Sequence, residues 1–422
     1  MAAARLVGQD PDIDYITLDY LAEVSMSIMA RQRERDPAAG YARDFLRVVE
    51  SLAPHWNAGR RFKVVTNAGG LDPTACGRAV GAMLGKHGVA GKKIAIVGGD
   101  DVLSLVRGAA DRSGFRHLET QQPIDTVLDR VVTANAYLGA DQLVEGLRRG
   151  ADIVITGRVA DPSLTVAPAA AEFGWSPGDF NKLAGATVAG HLIECGTQAT
   201  GGICTDWLSL ADPIHIGFPI VEVGSDGSCV VTKPTGTGGV VNEQTVKEQL
   251  LYELGDPGNY LSPDCSVSFL TLNVAEQGRD RVRVSGATGR HPPPSYKVSA
   301  TYRAGYRAAG ALTILGGEAR AKAARCGQIV EQKMREAKLA PKRFLAEPIG
   351  GDQEVTLRMA VADDRKEVCE FFSRLLVPLV TAGPQGTTGY FDGRPQVREV
   401  FGYWPCLIDR NLVKPRVEII EP

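Results

Sequence analysis

Three side chains that could do chemistry stand close together near the middle of the chain, in the segment HLIECGTQATGG. On a helix, His191, Glu194 and Cys195 would share one face, because residues three and four apart are neighbours there. A histidine beside a glutamate can transfer protons, and a cysteine beside both could act as a nucleophile. The alternative is a helix end that carries a satisfied histidine and a buried cysteine. We take Glu194 and His191 as candidate catalytic residues.

A second candidate group follows a short apolar run in ADIVITGRVADP, where Thr156, Gly157, Arg158 and Asp161 fall within one loop. A guanidinium can hold a carboxylate or phosphate at two points. The alternative is an Arg158–Asp161 pair that only fixes the loop. We take Asp161 as a further candidate catalytic residue, which orients Arg158 or binds a divalent metal, and the other three as ligand-binding residues.

Two more loops follow apolar runs in the same way. The segment VVTNAGG offers Asn67, Gly69 and Gly70 before a helix, and backbone N–H groups at such a place can bind an anion. It matches neither GxGxxG nor GxxxxGK[ST], so it could equally be a tight turn that needs small residues. The segment VGGDD carries Asp100 and Asp101, which could bind Mg²⁺, act as acid and base, or cap the next helix.

Glycine-rich segments also occur further along, at TGG and in KPTGTGGVVNEQT. Their backbone amides and hydroxyls could cradle an anion, or the second segment could be a flexible connector. Asn242 is the expected N-cap of the helix that follows. The ligand-binding candidates in these segments are Gly201, Gly202, Thr235, Gly236, Thr237, Gly238 and Gly239.

The elements that position these loops alternate between strand and helix over residues 1–205, which predicts a doubly wound, mostly parallel sheet. The carboxyl ends of its strands lie at one edge, so the three strand-end loops should converge there. Residues 206–264 are predicted to form a β-rich connector that contains the GTGG loop. Residues 265–422 are predicted to form an α+β lobe with a split βαβ order as one option. The predicted fold class is therefore α/β followed by α+β.

Composition narrows the functional class. The chain has 422 residues, a formal net charge of −2 and 6% aromatic residues, without a basic block, so we expect no nucleic-acid partner. Its apolar stretches are too short to span a membrane, and we expect a cytoplasmic location. The eight cysteines occur singly, without a CxxC pair, which argues against a structural zinc or an iron–sulfur cluster.

Several segments, in this order along nearly the whole chain, resemble the AtuA family, named for acyclic terpene utilisation. The matching stretches are DYLAEVSMSIMARQR, VVTNAGGLDP, DIVITGRVADPSLTVAP, AGHLIECGTQATGG, KPTGTGGVVNEQTVKEQLLYELGDP and GRHPPPSYKVSATYRAGYRA. The resemblance implies a place in a bacterial route that degrades terpene alcohols through coenzyme A thioesters. It also implies an additional strand and glycine-rich loop ahead of Ala4, and a ferredoxin-like C-terminal domain that a separate small partner could supply.

From these residues and this resemblance we expect an enzyme that acts on a small organic acid or acyl-coenzyme A thioester by lyase or hydratase chemistry. Glu194 or His191 would be the base, and Arg158 with the TNAGG amides would hold the substrate's carboxylate or phosphate. Coenzyme A would enter as part of the substrate, and we expect a homo-oligomer. The first alternative is a non-catalytic subunit that binds acyl-coenzyme A or scaffolds a complex of the degradation pathway. Weaker alternatives are a nucleotide-dependent redox enzyme and a thiol mechanism at Cys195.

Overall fold

A computed structural model describes residues 2–22, 24–390 and 393–421. The helices are α1 (Ala2–Gln9), α2 (Ser25–Arg35), α3 (Asp44–Asn57), α4 (Pro73–Lys86), α5 (Leu103–Gly108), α6 (Asp141–Arg148), α7 (Ser163–Glu172), α8 (Phe180–Ile193), α9 (Glu243–Leu251), α10 (Ala319–Glu336), α11 (Lys366–Leu375) and α12 (Leu379–Ala382). The strands are β1 (Tyr15–Leu18), β2 (Lys63–Thr66), β3 (Ile94–Gly98), β4 (Val131–Ala136), β5 (Ile153–Thr156), β6 (Ile220–Val223), β7 (Cys229–Thr232), β8 (Tyr260–Leu261), β9 (Ser266–Ser268), β10 (Asn273–Gly278), β11 (Arg281–Ser285), β12 (Thr288–Arg290), β13 (Ser295–Leu315), β14 (Arg343–Gly350), β15 (Glu354–Asp363), β16 (Thr387–Tyr390), β17 (Arg398–Asp409) and β18 (Arg416–Ile420).

The described residues fall into two compact units. The first contains the residues up to 126 together with 132–300 and 404–421, and the second contains 127–131 and 301–403. The sequence-based limits at residues 205 and 265 stay predictions.

The main sheet of the first unit is mostly parallel. Its strand order is β1-β2-β5-β3-β18, and the pairs β1–β2, β2–β5 and β5–β3 are parallel while β18 runs antiparallel to β3. Buried β-branched residues in β3 and β5 favour such central strands. The α/β fold class that the sequence predicts is confirmed.

Helices cover both faces of this sheet. A Cβ atom at Gly77 of α4 would lie 2.6 Å from Ile96, whereas one at Gly146 of α6 would lie 2.7 Å from Ala95. Ala95 and Ile96 are consecutive in a strand, so they point to opposite faces, and α4 and α6 lie on opposite sides. The glycines let each helix approach closely, and a larger residue at either would cost about 1–3 kcal/mol through overpacking. The sheet is therefore doubly wound.

Local sequence signals set the element ends. Asp72 accepts a hydrogen bond from the amide of Ala75 and Pro73 opens α4, as the sequence predicts. Asn242 caps α9 in a reciprocal capping box with Thr245. The turn at 225–227 joins β6 and β7 as an antiparallel hairpin, and Gly227 takes the positive φ of +84° that it requires.

The second unit is an α+β layer structure. Its sheet has the order β14-β15-β13-β16 with antiparallel neighbours, and α10 and α11 follow β13 and β15 along the chain. This is the split βαβ arrangement. One face of the sheet packs on both helices through a core that includes Leu357, Phe372 and Cys326.

Candidate active site

The loops that follow β2, β3 and β5 meet at one edge of the parallel sheet, as expected from the topology. The amide of Gly69 donates to the carbonyl of Thr156 at 3.1 Å. The amide of Arg158 donates to a carboxylate oxygen of Asp100 at 2.9 Å. These bonds tie the three loops together into one structure.

The first loop is anchored by Asn67, whose side chain is fully buried. Its Oδ1 accepts from the amide of Tyr20 at 2.7 Å, and its Nδ2 donates to Oδ1 of Asp19 at 2.5 Å. Asp19 also accepts from the amide of Leu21 at 2.9 Å. Asn67 is therefore a positioning residue in this structure, which fixes the Asp19 carboxylate just beyond β1.

Gly69 and Gly70 serve close packing of the backbone. A Cβ atom at Gly69 would lie 2.7 Å from the carbonyl oxygen of Thr156, and Gly70 adopts a positive φ of +52°. The amide of Gly70 donates to the carbonyl of Asn67 at 3.2 Å. Both glycine amides thus bond to protein carbonyls, and the binding of a ligand here stays a prediction.

Asp100 joins the ends of β3, β4 and β5 as a buried acceptor. It receives hydrogen bonds from the amide of Arg158 and from Nδ2 of Asn135, the latter at 2.8 Å. Burial raises the pKa of Asp100 to about 6, against the opposing effect of these donors. Gly157 is required beside it, because a Cβ atom there would lie 2.5 Å from Asp100 Oδ1. The neighbouring Asp101 accepts from the amide of Leu103 at the start of α5.

The Arg158 side chain is also almost fully buried. One guanidinium nitrogen donates to Asp161 Oδ1 at 2.5 Å and the other donates to the carbonyl of Leu21. The guanidinium lies 4.2 Å from the ring centre of Tyr137, at a distance suited to a cation–π contact. The side chain of Thr156, at the end of β5, is also fully buried. The Arg158–Asp161 pair is thus present, and it holds the Asp161 carboxylate in place.

The end of α8 carries the predicted acid–base pair. Nδ1 of His191 lies 2.9 Å from Oε1 of Glu194, and the two side chains are 2% and 14% exposed. Burial raises the pKa of Glu194, the hydrogen bond from His191 opposes that rise, and the charge of Asp19 adds to it. The rings of Tyr260 and Phe269 pack 6.0 and 5.9 Å from the imidazole. The pair therefore sits in an apolar setting that favours proton uptake by Glu194.

A small cavity brings residues from distant parts of the chain together. Its volume is about 30 Å³, close to the volume that one water molecule occupies in the liquid. Gly190 permits this arrangement, because a Cβ atom there would lie 2.8 Å from Pro162 and hold α8 away from α7. This cavity, called the acidic cavity below, is lined by Thr17, Asp19, Asp161, Leu164, Thr165, Gly190, Ile193 and Glu194. Three carboxylates thus converge at the carboxyl edge of the sheet.

Two of these carboxylates, Asp161 and Glu194, are predicted catalytic residues from separate segments. The third, Asp19, was missed. Its one sequence signal is its position directly after the strand that ends in Leu18, where a parallel sheet places its ligand groups.

Cys195 is a free thiol next to this site. Burial raises the pKa of its thiol, and a hydrogen bond with Gln249 partly opposes the rise. A raised pKa lowers the thiolate fraction at neutral pH. The raised pKa therefore counts against Cys195 as the nucleophile.

The remaining predicted glycine segments pack on each other. The amide of Val240 donates to the carbonyl of Thr200 at 2.9 Å, and the amide of Gly238 donates to the carbonyl of His215 at 2.8 Å. A Cβ atom at Gly238 would lie 2.1 Å from the carbonyl oxygen of Asp212. Gly201, Gly202, Gly238 and Gly239 thus lie in a closely packed backbone junction. Thr237 donates to the carbonyl of Pro234 at 2.6 Å, whereas Thr235 and Gly236 are exposed at the turn. Other residues line the acidic cavity, and a ligand at this junction stays a prediction.

Within residues 2–22, 24–390 and 393–421, no group of three or more His, Cys, Asp or Glu side chains is placed to hold a metal ion. Over that same part of the chain, no helix combines the length and the apolar character needed to cross a bilayer.

Comparison with known proteins gives one match. The family model described as "Acyclic terpene utilisation family protein AtuA" matches residues 1–419. No curated protein and no solved structure matches the chain. Since the family model spans nearly every residue, including all the loops of the acidic cavity, the chain belongs to the AtuA family.

Proposed function

We propose that this chain is an enzyme of small-molecule catabolism that acts on an organic acid or acyl-coenzyme A thioester by lyase or hydratase chemistry, with Glu194 as the general base. Membership of the AtuA family indicates a role in acyclic terpene utilisation. The observation that carries the proposal is the buried His191–Glu194 pair, which borders a cavity at the carboxyl edge of the parallel sheet. That edge is where doubly wound folds bind ligands.

The environment of Glu194 suits proton transfer. A general base works best when its pKa lies near the working pH, and burial moves the pKa of this carboxyl upward toward it. Glu194 would remove the proton from the carbon beside the substrate carbonyl, and the electron pair would move onto the carbonyl oxygen. His191 would orient Glu194 through its Nδ1 contact.

The other charged groups take positioning roles in this proposal. The sequence suggests that Arg158 and the TNAGG amides hold the substrate anion. In the structure Arg158 already binds Asp161 and the Leu21 carbonyl, and the amides of Gly69 and Gly70 already bond to carbonyls. We therefore assign Arg158 to the placement of Asp161, and Asn67 to the placement of Asp19.

Turnover of a panel of branched acyl-coenzyme A thioesters and their free acids tests this assignment. Glu194→Gln should reduce kcat by about 10²–10⁴-fold, the usual contribution of a positioned general base. His191→Ala, which removes the group that orients this base, should also reduce kcat, but by less. Glu119→Gln, at an exposed position far along the chain from this segment, is the matched control and should keep wild-type turnover. Full turnover in both site variants would exclude the assignment.

One observation favours a second candidate, a non-catalytic subunit that binds acyl-coenzyme A. A cavity of about 30 Å³ is far smaller than an acyl group, so a thioester would have to bind outside it or open it. This candidate requires saturable binding without a product and is compatible with a small ferredoxin-like partner. Both candidates place the protein in the cytoplasm, where coenzyme A thioesters are consumed and cysteines such as Cys195 stay reduced.

A further inference from the structure

Among the described residues, one face of the sheet of the second unit is open to solvent. The opposite face packs on α10 and α11, but the side chains that alternate with those core residues point away from the helices. Three of them are large and apolar and well exposed: Leu315 at 43%, Leu345 at 41% and Ile349 at 49%. The open face consists of Arg343, Leu345, Glu347 and Ile349 of β14, Glu354, Thr356, Arg358, Ala360 and Ala362 of β15, and Arg307, Ala309, Ala311, Thr313 and Leu315 of β13.

The register of the strands places the charged residues of the open face at its two ends and in its central row. At one end Arg343 and Arg307 both pair with Ala362, so the two arginines flank an alanine. At the other end Glu354 pairs with Leu315. Between these ends the centre of the face is small or apolar except for an Arg358–Glu347 ion pair at 2.6 Å. The face therefore has a basic end and an acidic end.

We propose that the open face binds a second copy of this chain, with the two-fold axis in the interface and perpendicular to the strands. That axis reverses the strand direction, so the partner subunit's Glu354 lies over Ala362, between Arg307 and Arg343. Neighbouring strands are about 4.8 Å apart, so one carboxylate can reach both arginines. An axis parallel to the strands would instead set the arginines against each other. The charges thus select one of the two face-to-face arrangements.

The apolar residues fit the same symmetry. Ala311, Arg358 and Glu347 form the central row, and the rows on either side of it exchange places. Leu345 then meets the partner's Ile349. The central row lies on the axis, so Arg358 and Glu347 each face their own copy, and each Arg358 stays paired with the Glu347 beside it in the same chain. The arrangement is still preferred, because the other axis would oppose Arg343 to Arg307, Arg358 to Arg358 and Glu354 to Glu354.

The size of the open face suits a weak dimer. The paired strands extend over about ten residues at about 3.4 Å each, and three strands with their side chains span about 15 Å. This gives about 500 Å² per copy and about 1,000 Å² in total, the lower limit for a specific interface. We therefore expect a dimer with a Kd in the micromolar range.

Sedimentation velocity from about 1 to 100 µM tests the proposal on the full chain. The wild type should sediment as a dimer at the upper concentrations. Ala360→Glu and Ala309→Glu put a carboxylate on the open face and should shift the protein to the monomer. Ala324→Glu makes the same change at an exposed position of α10 and should leave the dimer intact. Circular dichroism identifies any variant that fails to fold.

Charge reversal tests the orientation independently of packing. Arg307→Glu with Arg343→Glu should weaken the dimer at least ten-fold, and addition of Glu354→Arg should restore it. A wild type that stays monomeric at 100 µM would overturn the proposal. So would a dimer that persists in both alanine-to-glutamate variants, or a triple variant that stays monomeric. The dimer does not depend on the proposed chemistry, so loss of turnover in Glu194→Gln leaves it unaffected.

Discussion

Two buried carboxyls at the same sheet edge, Asp100 and Glu194, have their pKa raised by burial, yet their surroundings differ. Asp100 accepts hydrogen bonds from the backbone amide of Arg158 and from the side chain of Asn135, and Gly157 packs directly against it. Within the described part of the chain, the side chain of Glu194 pairs with His191, and it borders a cavity that Asp19 and Asp161 also line. A raised pKa by itself therefore does not mark a catalytic group. The two carboxyls differ in that Glu194 lines the acidic cavity, whereas Asp100 does not.

The largest expected effect separates the two carboxyls by activity. Glu194→Gln should lower kcat by about 10²–10⁴-fold and leave the unfolding free energy within about 1 kcal/mol of wild type. Asp100→Asn should keep kcat within about three-fold, because the carbonyl oxygen of the introduced amide can still accept from both donors. The measurements are kcat and the free energy of unfolding in urea, both determined for each variant and for the wild type. Equal losses of turnover would show that Asp100 belongs to the active site.

The second effect concerns pH and stability. The pKa of Asp100 is about 6 in the folded protein and about 3.8 in the unfolded chain, so the folded state binds this proton more tightly. Its contribution is fully present below about pH 4 and is lost as the pH rises through 6. The difference in unfolding free energy between wild type and Asp100→Asn should therefore change by about 3 kcal/mol between pH 3.5 and 7. Glu119→Gln, which removes an exposed carboxyl outside this hydrogen-bond network, is the control and should not produce this change.

The smallest expected effect comes from Gly157→Ala. The new Cβ atom would lie 2.5 Å from Asp100 Oδ1, so the contact must relax at a cost of about 1–3 kcal/mol in unfolding free energy. In an Asp100→Ala background the clash disappears, and the two changes should be less than additive. Additive effects in urea unfolding would mean that Gly157 is needed for another reason.

Residue type and spacing were enough to predict the parallel sheet, the convergence of its loops and the pairing of His191 with Glu194. They also singled out Asp161. The alternation of strands with helices along the chain predicts the parallel sheet, and helical spacing predicts that His191 and Glu194 are neighbours. Both predictions therefore follow from local patterns.

The roles of the glycines could not be predicted from local patterns. Whether an amide faces a ligand or a carbonyl depends on distant parts of the chain, as with Gly69 and Thr156. Asp19 was missed for a similar reason, because only the approach of α7 and α8 turns a single strand-end acid into part of a cluster. Long-range packing decided both cases.

The most direct test of Glu194 as a base is the incorporation of deuterium from D₂O, measured by mass spectrometry. The position followed is the carbon beside the carbonyl of a branched acyl-coenzyme A thioester. We expect the wild type and Asp100→Asn to incorporate deuterium and Glu194→Gln to incorporate none above the uncatalysed rate. Exchange at the wild-type rate in Glu194→Gln would contradict the assignment of the base, whatever the net reaction proves to be.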